Sequence, residues 1–139
     1  MGEFDWDKVA AKSAVTANPA AGADPVGFTV PAGKRYLLLS MFHSLQRDGN
    51  PANVYESALI TDGTGTTSMG AISGAMTSPN PYNITFAPGV RDVSTTNFFL
   101  PLPEGLELQP GSVVSFTITS KQVGDDWSAT RYVFKEAPA

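Results

Sequence analysis

The chain has 139 residues and no cysteine, and its 13 acidic and 9 basic residues give a formal net charge of −4. A chain of this length forms about one domain and buries enough surface to fold without disulfide bonds. Because the basic residues are scattered and no window reaches the roughly 20 apolar residues of a membrane helix, we set nucleic acid and membranes aside as partners.

The N-terminal segment is the only window that suits a helix. Asp5 or Asp7 is a candidate N-cap, and the alanine- and lysine-containing residues up to 17 follow it, although their apolar stripe is thin. The sequence therefore predicts an arm or short helix with a flexible linker over residues 1–22, and a β-domain over residues 23–139. We expect Trp6 and Val9 to contact a partner. The first residues also lack the basic start and apolar run of a signal peptide.

Residues 30–45 contain the longest strand-like apolar run, and we predict that they form the central strand. A Pro-Ala-Gly turn precedes the run and residues 48–51 (Asp-Gly-Asn-Pro) end it, which confines it to strand length. Period two divides its side chains into two faces: Leu37, Leu39, Met41 and Leu45 on one, and Tyr36, Leu38 and Phe42 on the other.

Shorter strands are predicted along the rest of the chain. Alternating apolar residues and flanking Pro, Gly and Asp turns place them at residues 26–30, 53–61, 82–86, 96–102, 114–119 and 128–135. Residues 66–80 are rich in Gly, Ser and Thr, and predict an irregular edge or an exposed loop. About eight short strands at regular spacing indicate an all-β, antiparallel β-sandwich. The turn pattern favours a jelly roll over an immunoglobulin-like sandwich, although periodicity does not fix the connectivity.

The sequence holds few residues that could form a reaction centre. His43 is the only histidine, and we interpret it as a histidine on a sheet face with both ring nitrogens satisfied. The acidic turn Asp125-Asp126 consists of ordinary turn residues, so we do not predict a calcium site there. We expect no catalytic residues, no metal and no cofactor, and we predict that the protein is not an enzyme.

Aromatic residues give the more useful functional signal. Tyr55, Tyr82 and Trp127 could stack on sugar rings, as in carbohydrate-binding sandwiches, or could belong to the core or to a subunit contact. Phe98 and Phe99 are neighbours in a predicted strand, so they point to opposite faces and one of them leaves the core. We therefore predict that this pair contributes to a subunit interface.

Three segments carry a resemblance to a known class of proteins. They are VPAGKR at residues 30–35, LPLPEGLELQPGSVV at residues 100–114, and GDDWS at residues 124–128. Over about residues 26–136 the chain resembles small jelly-roll virion proteins of tailed bacteriophages. The resemblance implies a capsid decoration protein or head fibre on the capsid surface, assembled in the host cytoplasm. It also implies a homotrimer whose N-terminal arm contacts the major capsid protein.

Two hypotheses of different classes follow. The preferred one is a structural virion protein that binds the shell and self-associates. The alternative is a carbohydrate-binding module, or a phage receptor-contact domain, that uses Tyr55, Tyr82 or Trp127 to stack on a surface glycan.

Overall fold

The computed structural model describes residues 4–62, 67–89 and 91–139, and it contains two β-sheets packed face to face. The large sheet contains eight strands: β1 (Lys12–Val15), β3 (Lys34–Gln46), β6 (Pro81–Ala87), β7 (Asp92–Val93), β8 (Asn97–Pro101), β9 (Glu107–Leu108), β11 (Asp126–Trp127) and β12 (Arg131–Pro138). The small sheet contains four strands: β2 (Phe28–Thr29), β4 (Tyr55–Thr61), β5 (Thr67–Ile72) and β10 (Val113–Thr119). The chain is an all-β sandwich, as predicted.

The strand order is β1-β12-β3-β6-β8-β7 in the large sheet and β2-β10-β4-β5 in the small one. Strands β9 and β11 pair with opposite ends of β3. Neighbouring strands are antiparallel except β6 and β8, which are parallel. The described residues form twelve strands where the sequence predicts about eight, because β1 and β5 replace a predicted arm and a predicted irregular segment, and because β7, β9 and β11 have only two residues each. The jelly-roll connectivity is not confirmed.

The long apolar run forms β3, which is the central strand of the large sheet and lies between β12 and β6. A register shift in β12 pairs Val133 with Ser40 but Phe134 with Leu38, so Leu39 is an extra residue in the ladder. An extra residue reverses the in-and-out alternation beyond it. The predicted division of the strand into two faces is therefore wrong. The inner face carries Tyr36, Leu38, Met41, His43 and Leu45.

The predicted N-terminal helix is replaced by a short 3₁₀ turn at Trp6–Lys8 and the strand β1. Asp5 caps the turn by accepting a hydrogen bond from the backbone amide of Asp7. β1 pairs with β12 and forms one edge of the large sheet. A helix of this length with a thin apolar stripe gains little from packing, whereas an edge strand satisfies its backbone groups against β12. The division of the chain between residues 22 and 23 stays a prediction.

β5 lies at the edge of the small sheet and pairs with β4, so part of the predicted irregular segment is a strand. Residue 66 of that segment lies outside the described residues. No helix in the described part of the chain is long and apolar enough to cross a membrane.

The core between the sheets is one cluster of apolar side chains. Its largest fully buried members are Trp127, Phe86, Leu38, Met41, Leu45, Ile60, Met76, Ile84 and Leu100. Burying one such side chain contributes roughly 1.5–3 kcal/mol, so this cluster is the main stabilising element of the fold. Polar side chains are also buried there, among them His43, Arg47, Glu56, Asp125 and Thr130.

Candidate association surface

The only histidine lies in a buried polar cluster between the two sheets. His43 Nε2 is 2.5 Å from Glu56 Oε2, and His43 Nδ1 is 3.0 Å from Thr130 Oγ1. The second carboxyl oxygen of Glu56 accepts a 2.8 Å hydrogen bond from Trp127 Nε1. Both ring nitrogens of His43 have partners, which confirms the interpretation made from the sequence.

This cluster contains a hydroxyl, an imidazole and a carboxylate in series, which is the order of groups in a hydrolytic triad. Catalysis also needs an approach for substrate, but His43, Glu56 and Thr130 are completely buried. His43 belongs to the large sheet and Glu56 to the small one, so the cluster joins the two sheets. We assign it a structural role, because buried polar groups stabilise a unique packing when every member is satisfied.

A second buried polar cluster fixes the loop after β3. Arg47 Nε donates to Asp125 Oδ1 at 2.8 Å, and the guanidinium also donates to the carbonyl oxygens of Asn50, Ala52 and Met76. The carboxyl group of Asp125 in turn accepts from the backbone amides of residues 48 and 122. One guanidinium thus holds together three segments that are far apart in the sequence.

The electrostatic state of Asp125 follows from these contacts. Burial by itself would raise the pKa of its carboxyl group, but hydrogen bonds from the Asp48 amide and from Arg47 outweigh burial and lower the pKa below its ordinary value. The hydrogen-bonding capacity of this carboxylate is therefore used by Arg47 and by the turn amides. Within the described residues, no group of three or more His, Cys, Asp or Glu side chains is arranged to hold a metal ion.

Two of the three aromatic residues proposed as glycan platforms are buried. Only 1% of Trp127 and 3% of Tyr82 is exposed, so neither ring can present a face to a sugar. Their polar atoms are also occupied, since Trp127 donates to Glu56 and the Tyr82 hydroxyl accepts from the Thr77 amide. The stacking role predicted for these two residues is wrong, because alternation along their strands directs them inward. Tyr55 is exposed.

A shallow open groove of about 580 Å³ lies at one end of the large sheet. Its polar lining includes Gln46, Asn83, Asp126 and Ser128, together with Asn18 from the segment after β1. The Gln46 amide is already used for the carbonyl oxygens of residues 47 and 79. Polar and apolar surface both line the groove, which includes atoms of Tyr82 and Trp127 and joins the outer face of the large sheet at the exposed Asn83.

The N-terminal arm packs against its own domain. Trp6 Nε1 donates to Glu107 Oε1 at 3.1 Å, and the Lys135 ammonium donates to the Trp6 carbonyl oxygen at 2.9 Å. The Arg35 guanidinium lies over the ring of Trp6, 5.7 Å from its centroid. Trp6 and Val9 are both half-buried. The partner contact predicted for both residues remains a prediction.

The strongest candidate for an association surface is the part of the large sheet's outer face that lies away from Trp6, which covers the end of that face at Arg35, Glu107 and Lys135. Phe98 points into the core and Phe99 points outward, which confirms the alternation predicted for this pair. Phe42 of β3 also lies on the outer face. The exposed fractions of Phe42 and Phe99 are 42% and 41%. We define this outer face by Phe42, Thr85 and Phe99, which neighbour each other across β3, β6 and β8.

Sequence reasoning missed Phe42, Glu56 and Arg47. Period two grouped Phe42 with Tyr36 and Leu38, but the extra residue at Leu39 places those two side chains inward and Phe42 outward, and the local sequence gives no signal of that extra residue. Glu56 lies at an inward position of an otherwise apolar alternation, between Val54 and Ala58. A charge at such a position is the signal that could have identified the buried cluster.

The chain was compared with protein-family models, with characterised proteins and with solved structures, and none of them matches it.

Proposed function

We propose that this protein is a structural subunit that associates with copies of itself through the outer face of its large sheet. The setting suggested by the sequence resemblance is the capsid surface of a tailed phage, as a decoration protein or head-fibre subunit. A trimer, and the major capsid protein as a second partner, are further expectations of that resemblance.

The exposed pair Phe42 and Phe99 is the observation that supports this proposal. The two phenylalanines lie on one face of the sheet, on opposite sides of Thr85, and each exposes about two-fifths of its surface to water. Covering apolar surface contributes roughly 25 cal/mol per Å², so a second copy placed over both rings gains free energy that the isolated chain lacks. The closed His43 cluster adds support, since its catalytic-type groups are inaccessible to substrates.

We expect Phe42→Ser and Phe99→Ser each to weaken self-association at least tenfold. Either change removes about half of the exposed aromatic surface of this face and introduces a hydroxyl group into the proposed contact. The measurement is solution mass by size-exclusion chromatography with light scattering, over a range of concentrations.

Val123→Ser is the matched control, because Val123 is exposed in a turn away from this face, and its mass should match that of the wild type. A wild-type chain that stays monomeric at high micromolar concentration would contradict self-association.

Removal of residues 1–11, which precede β1, should abolish binding to phage capsids while leaving the sandwich folded. Trp6 contacts the domain through two partly exposed hydrogen bonds, which contribute little individually, so this segment can exchange these contacts for capsid contacts. Co-sedimentation with capsids measures attachment, and a cooperative thermal transition shows that the domain is intact. Unchanged attachment would remove the arm from the proposal.

Carbohydrate binding remains a second candidate because of the groove beside the outer face, which polar side chains line in part. Amide and carboxyl groups such as those of Asn83 and Asp126 are suited to sugar hydroxyls, and Tyr55 is still an exposed aromatic residue. Binding to a defined glycan on an array would favour this candidate.

A further inference from the structure

Five outward-pointing residues, one from each of the five strands from β12 to β7, lie in one line across the outer face, and the exposed Val15 of β1 lies beside the first of them. Strand register places Arg131 of β12 beside Phe42 of β3, and Phe42 beside Thr85 of β6. Thr85 neighbours Phe99 of β8, which neighbours Asp92 of β7. The line thus reads cation, aromatic, threonine, aromatic, anion.

On each side of Thr85 the line carries an aromatic ring and then a charged side chain. The two charges have opposite signs. Adjacent strands are about 4.8 Å apart, so each phenylalanine is one strand from Thr85 and each charge is two strands from it. A two-fold axis lying over Thr85 and parallel to β6 exchanges the two sides of the line. In a face-to-face pair it places Phe42 against the second copy's equivalent of Phe99, and Arg131 against the equivalent of Asp92.

We infer that the outer face binds a second copy of this chain in an isologous, two-fold arrangement. This inference rests on the proposed self-association and specifies its geometry. It also replaces the trimer implied by the resemblance, since an interface that pairs with itself closes at two subunits.

The charges at the two ends of the line are available for such a contact. Arg131 and Asp92 are both exposed, and within the described residues neither has an ion-pair partner. The pairing would use each charge once, giving two identical Arg-Asp contacts at opposite ends of the interface. Opposite charges at matching positions select the partner's orientation as well as its identity.

The neighbouring positions are compatible with the same axis. Asn83 lies two residues before Thr85 on β6, so it would face its own equivalent, and an amide can both donate and accept. Asn83 already donates to Asn97 at 2.9 Å, which orders both amides. On the other side of Thr85, the small side chains of Ala87 and Pro101 neighbour each other and permit close approach.

The size and shape of the surface also fit a second sheet. The line from Arg131 to Asp92 covers four strand spacings, or about 19 Å. Two β-sheets that pack face to face keep their strands within about 30° of each other, which an axis parallel to β6 allows.

Charge reversal provides a direct test. Arg131→Asp and Asp92→Arg should each raise the dimer dissociation constant at least tenfold, because each change creates two like-charge contacts in a two-fold pair. The double variant carrying both substitutions should return the constant to within about threefold of the wild-type value, since both contacts are restored with their signs exchanged. Light scattering and sedimentation equilibrium measure the constant.

Glu104→Arg is the matched control, because Glu104 is an exposed carboxylate in the turn before β9, and this substitution should leave the constant unchanged. Thermal unfolding of every variant at low concentration shows whether the monomer is intact.

A cysteine at the axis gives a second test that does not depend on charge, and the chain contains no other cysteine. Thr85→Cys faces its own equivalent in the two-fold pair, so a short bis-maleimide should link two chains in high yield. Val123→Cys should yield only monomer under the same conditions.

The outcomes separate the two proposals. A monomeric wild type overturns the self-association and the two-fold pair together. A trimer, or a dimer that neither responds to charge reversal nor cross-links at residue 85, keeps self-association and overturns the two-fold arrangement.

Discussion

Replacing Glu56 by leucine should lower the free energy of unfolding by about 3–5 kcal/mol, a large share of the roughly 5–15 kcal/mol typical of a domain. The carboxyl group of Glu56 is the shared partner of His43 and Trp127, and it is completely buried. Its removal leaves two buried polar groups without a partner, and each such group costs about 1–3 kcal/mol. Equilibrium unfolding in urea, followed by tryptophan fluorescence, measures the change.

Glu56→Gln should cost less than the leucine variant, because the amide has nearly the same shape and still offers an oxygen to Trp127. Glu104→Leu is the control for loss of a carboxylate at an exposed position, and it should change stability by less than about 0.5 kcal/mol. A Glu56→Leu variant as stable as the wild type would contradict the conclusion that the buried cluster around Glu56 stabilises the packing of the two sheets.

The variant Arg47→Met should destabilise the fold by a similar amount, about 3–5 kcal/mol. Methionine keeps much of the length of the side chain but leaves the buried Asp125 carboxylate and three backbone carbonyl oxygens without the guanidinium. Urea unfolding again provides the measurement. Lys8→Met is the control, because the Lys8 ammonium is exposed and its ion pair with Asp5 contributes little.

Asp125, the buried partner of Arg47, allows a pH test of the same cluster. Because the folded-state pKa of Asp125 lies below its ordinary value, the unfolded chain binds a proton more readily. The stability contributed by this carboxylate is therefore present above about pH 4 and is lost as the pH falls below that value. The stability difference between the wild type and Asp125→Asn should be largest at neutral pH and should narrow in acid. A difference that stays constant across this range would contradict the assignment.

Double substitution measures how strongly the two groups are coupled. The variant carrying both Arg47→Met and Asp125→Asn should be more stable than the sum of the two single changes predicts, because it no longer buries an unpaired charge. Strict additivity would indicate that Arg47 acts through the carbonyl oxygens alone.

The sequence predicted the all-β class, the central strand and the inward and outward split of Phe98 and Phe99. These features depend on the alternation of side chains along each strand and on turn residues, and both can be recognised from short stretches of sequence. His43 was also interpreted correctly, since it lies in phase with the apolar residues Met41 and Leu45.

The sequence-based predictions failed where pairing with a distant segment changed the local backbone structure. The extra residue at Leu39 exists because of its pairing with β12, which is about 90 residues away, so period two alone assigned the wrong face to Tyr36 and Leu38. The arm became a strand because β12 offers it an unpaired edge. Neither the extra residue in β3 nor the edge strand β1 can be recognised from the local amino-acid composition.

Alternation and turn chemistry are local, and they are why the amino-acid sequence alone specifies a sandwich in which one of Phe98 and Phe99 points outward. The buried clusters around Glu56 and Arg47, and the line from Arg131 to Asp92, join residues from three or more separate segments. Only strand register and sheet packing bring such residues together, because contacts between distant segments depend on the whole fold and not on spacing along the chain.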